Sequence, residues 1–261
     1  MELNLDGRNA LVCGASRGIG RAVAQALAEA GARLFLVARD AHRLEDTLAT
    51  LAGADERGHG ALAADLGDAG SLTSLVDRLV AGPPLHIVVN NSGGPPAGPA
   101  VTARPAEFEA AFGQHLVASQ TILQAVLDGM KASGYGRIVN IISTSVKEPI
   151  PNLGVSNTIR GAVASWAKTL ARELAPFGIT VNNVLPGFTA TERLDYLFSQ
   201  RAQASGRSPE EERAAAMALV PAGRFAQPEE TAAAVVFLAS SHAAYINGIN
   251  LPVDGGRTSC L

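Results

Sequence analysis

The strongest constraint on this chain is a repeated alternation of two kinds of segment. Six short apolar runs, none carrying a polar residue at every second place, are separated by longer stretches with helical spacing. N-A-L-V-C-G comes first, followed by a helical pattern from Ile19 to Ala30 that stops at Gly31. R-L-F-L-V-A precedes a helix over about Ala41 to Leu51, and A-L-A-A-D precedes one over Ser71 to Val80. H-I-V-V-N-N leads into a long helical segment from Ala106 to Met130. R-I-V-N-I-I-S precedes an alanine-rich helix containing S-N-T-I-R, and I-T-V-N-N-V is the sixth run. A strand wet on one face alternates, whereas a strand buried on both faces does not. Such strands joined by helices form a parallel sheet covered on both sides, which right-handed crossovers wind into a doubly wound α/β fold.

No repeat or linker divides the chain, so one domain over 1–261 is expected. Gly93 to Pro99, G-G-P-P-A-G-P, reads as a loop. Ser199 to Glu212, polar and punctuated by Gly206 and Pro209, reads as a mobile excursion from the domain. Aromatics are only 5% of residues, so the core must be built from Ala, Val, Leu and Ile. A net charge of -3 gives no electrostatic case for nucleic acid or an anionic membrane. Cys13 and Cys260 are a poor basis for a disulfide framework, and no metal site is expected. No secretion signal opens the chain and no apolar run is long enough to span a bilayer, so a cytoplasmic protein is expected.

Chemistry concentrates where strands end. C-G-A-S-R-G-I-G places Gly14, Gly18 and Gly20 between the first strand and the first helix. Glycines there let the chain turn and let backbone N–H groups approach a pyrophosphate, which the helix N-terminus also attracts. An acidic residue closing the second strand would take the ribose hydroxyls of NAD. Here Ala38 and Arg39 stand at that place, Asp40 comes one residue later, and Arg17 lies in the glycine loop. Two guanidinium groups can bracket a 2′-phosphate, which favours NADP(H) over NAD(H). Asp65 after the third run can accept from an adenine amino group, and Asn90 to Gly93 bring two amides and a tight turn to the fourth.

These motifs together resemble the short-chain dehydrogenase/reductase family, most of all its 3-oxoacyl-[acyl carrier protein] reductase branch. G-A-S-R-G-I-G, N-N-S-G, G-R-I-V-N-I-I-S, V-N-N-V-L-P-G-F, V-P-A-G-R-F-A-Q-P-E-E and the final L-P-V-D-G-G carry the likeness in order along almost the whole chain. The resemblance implies a single Rossmann-like domain of about seven strands and a homotetramer or homodimer, with the last strand at a subunit interface. It implies a pyrophosphate loop of Gly14, Ser16, Arg17, Gly18, Ile19 and Gly20, with Asp65 and Leu66 at adenine and Asn91 and Gly93 along the ribose. Pro186, Gly187 and Thr189 would flank nicotinamide, and a substrate lid would cover about 188–220. Cys13 replaces the family's threonine.

The resemblance breaks at the catalytic residues. The family needs a serine after the fifth strand and Y-x-x-x-K on the next helix. Ser143 matches the serine, but Ser156 and Arg160 hold the tyrosine and lysine places, and His115 aligns with a supporting asparagine. Carbonyl reduction needs a proton for the forming alkoxide, and a tyrosine of pKa about 10 can be tuned to supply one. Serine is a far weaker acid, and arginine stays charged. Ser143 and Ser156 can still donate hydrogen bonds to a carbonyl, and Arg160 can hold the nicotinamide ribose or a substrate carboxylate. His115 through water, Lys147 at the rim and Tyr196 on the lid are the candidate proton sources, each with a bland structural reading beside it. Tyr135 precedes the fifth strand and belongs at the opposite end of the sheet. Two functions therefore compete: an NADP(H)-dependent oxidoreductase with an atypical site acting on a small or acyl-type ketone or alcohol, and a non-catalytic dinucleotide-binding protein serving as sensor or assembly partner.

Overall fold

The computed structural model describes residues 3–54 and 56–260. The apolar runs become parallel strands β1 (Asn9–Cys13), β2 (Arg33–Ala38), β3 (Gly60–Ala63), β4 (Ile87–Asn90), β5 (Gly136–Ile141) and β6 (Ile179–Pro186), joined by β7 (Asn250–Val253). Their order is β3-β2-β1-β4-β5-β6-β7, with every pairing parallel. The helices are α1 (Gly18–Glu29), α2 (Ala41–Ala49), α3 (Ala69–Ala81), α4 (Pro105–Phe112), α5 (Ala118–Ser133), α6 (Gly154–Leu174), α7 (Glu192–Ser205), α8 (Pro209–Ala218) and α9 (Pro228–Ala239). This is a single-domain Rossmann-like sheet whose order reverses between β1 and β4, the switch point at which such folds bind ligands.

Burial explains the missing alternation. Leu11 and Val12 are successive on β1, point to opposite faces, and are both fully buried. Val12 packs with Val89, Val139, Val23 of α1 and Val235 of α9, whereas Leu11 packs with Val88, Ile138, Ile122 of α5 and Leu170 of α6. Removing such a side chain leaves a cavity in a close-packed layer and costs roughly 2–5 kcal/mol.

The middle of the sheet also carries a polar row. Asn90 donates to Asn140 Oδ1, Asn140 to Asn183 and Asn183 to Asn250, each at 2.8 Å. These residues are direct register partners across β4, β5, β6 and β7. A one-residue slip would break every link and turn each amide to the other face, so the row pins the register beneath the site.

Two expectations are revised. The polar stretch from Ser199 to Glu212 belongs to two helices and the turn between them. Gly206, at φ 74°, ends α7, and Ser208 opens α8 by a reciprocal capping box with Glu211. Gly and Pro there punctuate helices. The long segment from Ala106 to Met130 is not one helix either. A π-helical turn, Gly113–Val117, separates α4 from α5, an extra residue that 3.6-residue spacing does not reveal.

Candidate active site

A cleft of about 680 Å³ opens along the carboxyl ends of the strands. At its centre the glycine loop folds as its sequence requires. Gly14 and Gly18 sit at φ 63° and 53°, and a Cβ on Gly20 would lie 2.0 Å from the Gly14 carbonyl oxygen. The Asn91 amide donates to the carbonyls of Cys13 and Gly14 at 3.3 Å, tying the end of β4 to this loop. Beneath it, burial pushes the Cys13 thiol up to about 12, which makes it an inert core residue.

The helix entries differ in a telling way. Asp40, Asp68 and Thr191 cap α2, α3 and α7 with their side chains, whereas Arg17 leads into α1, and Leu153 into α6, without a side-chain cap. Gly18, Ile19 and Gly20 line the cleft, so the first N–H groups of α1 face a space instead of a protein acceptor. This is the entry a dinucleotide pyrophosphate fits. Ser16, Leu66, Gly93, Pro186, Gly187 and Thr189 line the same cleft.

At the adenine end, Ala38, Arg39 and Asp65 line the cleft. Asp65 Oδ1 accepts from the Gly67 amide at 2.9 Å, and Asp40 accepts from the Arg43 amide at 3.1 Å while capping α2. Arg17 and Arg39, the two guanidinium groups expected at a 2′-phosphate, both line the cleft, and Arg17 also shares a partner with Arg43. Arg17 and Arg43 reach Glu192 at the start of α7, at 2.7 Å and 3.0 Å. Hydrogen bonds from Arg43 and then Arg17 hold the Glu192 carboxyl below its ordinary range.

The other end holds the candidate catalytic residues. Ser143 follows β5, and its Oγ accepts from the Ser145 amide at 3.1 Å. Ser156 and Arg160 lie one turn apart on α6 and line the cleft with Ser143. Arg160 is only 8% exposed and donates to the Ile141 carbonyl at 3.1 Å. Burial, then repulsion from Arg193, lowers its pKa to about 10, which leaves it protonated at neutrality. Arg193 donates to the Pro95 carbonyl at 2.9 Å.

His115 sits in the π-helical turn, buried behind the cleft wall. Its Nδ1 lies 2.7 Å from Ser92 Oγ, and its Nε2 has no partner among the described residues. Burial, reinforced by the charge of Arg160, pushes it down to about 3, so the ring is neutral at pH 7. It lines a side cavity of about 20 Å³ together with Asn140 and Arg160, room for one water. Tyr196 is 49% exposed on α7 beside Arg193, and Lys147 closes the turn after Ser143 through its amide. Tyr135 lies outside the cleft, packed against Arg8 and Arg137 with its hydroxyl on the Ala239 carbonyl. Among the described residues, no tyrosine, lysine or histidine lines the cleft.

Sequence reasoning missed Arg43, Thr191, Glu192, Arg193, Arg201 and Arg257, all of which line it. The T-E-R run after Thr189 was the available signal, since a threonine cap directs the next residues of α7 back over the cleft.

A doubly wound sheet with an uncapped helix entry over a glycine loop at its switch point defines a dinucleotide-binding protein. The family model described as enoyl-(acyl carrier protein) reductase matches residues 14–258. The chain belongs to the short-chain dehydrogenase/reductase family of oxidoreductases. It is 37% identical over 263 residues to the 3-oxoacyl-[acyl-carrier-protein] reductase of Vibrio harveyi, covering 97% of this chain and 98% of that protein. The D-threitol dehydrogenase of Mycolicibacterium smegmatis is 35% identical, with 98% and 95% covered. Among solved structures, L-sorbose reductase from Gluconobacter frateurii, complexed with NADPH and L-sorbose, superimposes with a TM-score of 0.91 at 28% identity over 100% of both chains. No helix among the described residues is long and apolar enough to cross a membrane.

Proposed function

We propose that this protein is an NADP(H)-dependent oxidoreductase that interconverts a ketone, or a 3-oxoacyl group, and the corresponding alcohol with an atypical catalytic set. The observation that carries this reading is that Ser143, Ser156 and Arg160 line the same cleft as the uncapped entry of α1. Bound at that entry, the nicotinamide cofactor supplies the hydride. Ser143 accepts from the Ser145 amide, which orients its hydroxyl and leaves its own O–H to donate to a substrate oxygen. Ser156 offers a second O–H, and the charge of Arg160 favours negative charge developing nearby. Neutral His115 holds one ring proton and reaches substrate only through water, consistent with the one-water cavity it shares with Arg160. Arg17, Arg39 and Arg43 favour NADP(H), since Asp40 is engaged in capping α2. Residues 188–220 form the substrate lid, and the protein works as a cytoplasmic homotetramer or homodimer.

One observation favours the second reading, a non-catalytic dinucleotide-binding homologue: among the described residues, no tyrosine, lysine or histidine lines the cleft ready to give up a proton. The test is NADPH oxidation, followed by nicotinamide absorbance, against a panel of ketones. Turnover that Ser143→Ala abolishes supports the enzyme. Binding of NADPH without turnover, together with reductase activity gained by the double variant Ser156→Tyr/Arg160→Lys, supports the binding protein.

A further inference from the structure

We infer that the substrate of this site carries a free carboxylate, gripped by Arg160 and Arg193. The inference rests on the oxidoreductase reading above and names its substrate class. The two guanidinium groups converge on Gly94, where an added Cβ would lie 3.6 Å from Arg193 Nη2 and 4.0 Å from Arg160 Nη2. Among the described residues each has only a neutral carbonyl as its hydrogen-bond partner, Ile141 for one and Pro95 for the other, and Arg193 also lies over the Tyr196 ring. None of the ion pairs among the described residues includes either.

The acids that line the cleft are already committed. Glu192 is held by Arg17 and Arg43, Asp40 caps α2, and Asp65 accepts from the Gly67 amide. Two positive charges thus repel each other in a desolvated corner with no carboxylate from the protein between them. The two carbonyls take one hydrogen bond from each guanidinium and neutralise neither charge, whereas an entering carboxylate would satisfy both forks at once with charge-assisted hydrogen bonds. Arg257 adds a third positive charge to the lining, resting on Thr144 Oγ1 and the Phe188 ring, again against neutral partners.

The position also limits substrate length. Arg160 is one helical turn from Ser156 and both line the same cleft, so a carboxylate held by Arg160 and a carbonyl at Ser156 belong to one small molecule. A short free oxo acid or hydroxy acid meets that condition. A thioester-linked 3-oxoacyl chain does not, because its carboxyl is tied up in the thioester, so of the two substrate classes proposed above this inference selects the free ketone or its alcohol.

The test uses the protein saturated with NADPH and follows cofactor fluorescence while two non-reducible carboxylates are titrated, oxamate and 3-phenylpropanoate, each against its methyl ester. At least one acid should bind tenfold or more tightly than its ester. Arg193→Met should weaken that acid at least tenfold more than it weakens NADPH, and Arg193→Lys should fall between. Equal affinity of acids and esters, or no binding of either acid to the holoprotein, overturns the inference and leaves the oxidoreductase reading standing. Weakening of NADPH alone by Arg193→Met assigns the pair to the cofactor and overturns it too. Failure of the parent to bind NADPH overturns both. The comparison of acid with ester on the parent needs no variant, so it decides even where a variant fails to fold.

Discussion

The two ends of the cleft both use arginine, in opposite ways. At the adenine end, Arg17 and Arg43 are about half exposed and share the carboxylate of Glu192. At the catalytic end, Arg160 is buried and Arg193 half-buried, and their partners are neutral carbonyls. An exposed ion pair exchanges with water and salt and yields easily to a competing phosphate. A desolvated guanidinium without a counter-charge is expensive to keep, so its place in the fold points to use by a ligand. The first arrangement makes ligand entry easy, and the second makes it selective.

The largest break in that comparison is expected from Ser143→Ala. It should lower kcat on a reducible ketone by about 10²–10³, the effect of losing one oxyanion donor, while NADPH affinity stays near that of the parent. Separate measurement of kcat and cofactor Kd checks it. Next, Arg160→Met should abolish activity yet raise the stability of the ligand-free protein by about 1–3 kcal/mol, because a buried uncompensated charge is removed. Urea unfolding reads this; destabilisation instead would mean that the guanidinium holds the fold together.

His115 gives a pH signature at the same end. Its folded pKa of about 3 lies below its ordinary value of 6.5, so the unfolded chain binds the proton more tightly. The contribution is complete above about pH 6.5 and is lost as pH falls toward 3. Between pH 7 and pH 5 the parent should lose about 1–2 kcal/mol more than His115→Asn does, measured as the shift in urea midpoint at each pH. The smallest effect belongs to the exposed end. Glu192→Gln frees Arg17 and Arg43 and should tighten NADPH by about threefold at low salt, with the gain fading as salt rises. Cofactor titrations at two ionic strengths would show it.

Much of this architecture can be read from local pattern because local physics dictates it. Leu11 and Val12 are both apolar because both faces of β1 are covered, and Gly14, Gly18 and Gly20 mark a turn that other residues do not make. Ser143, Ser156 and Arg160 were traceable through the family resemblance, whose serine and Y-x-x-x-K places they occupy, while periodicity put them only at a strand end and on one helix face. What spacing does not carry is contact at long range. Arg43 meets Glu192 across 149 residues, and Arg193 meets Pro95 across 98. Those meetings depend on how α7 crosses the cleft, which Gly206 and Pro209 disguised as a loop. The inserted residue of the π-helical turn, which buries His115, is equally invisible to a 3.6-residue count.

The asparagine row across β4 to β7 is directional. Every amide donates toward β7, so one turned over would set two oxygens against each other on one side and two NH₂ groups on the other. The row reverses as a whole or not at all. Deamidation, which trades the NH₂ for an oxygen, is therefore tolerated within this row only at Asn250, on the edge strand, where the side chain merely receives. The same chemical ageing at Asn90, Asn140 or Asn183 would silence a donor and leave facing oxygens beneath the very strands that carry Asn91, Ser143 and Pro186.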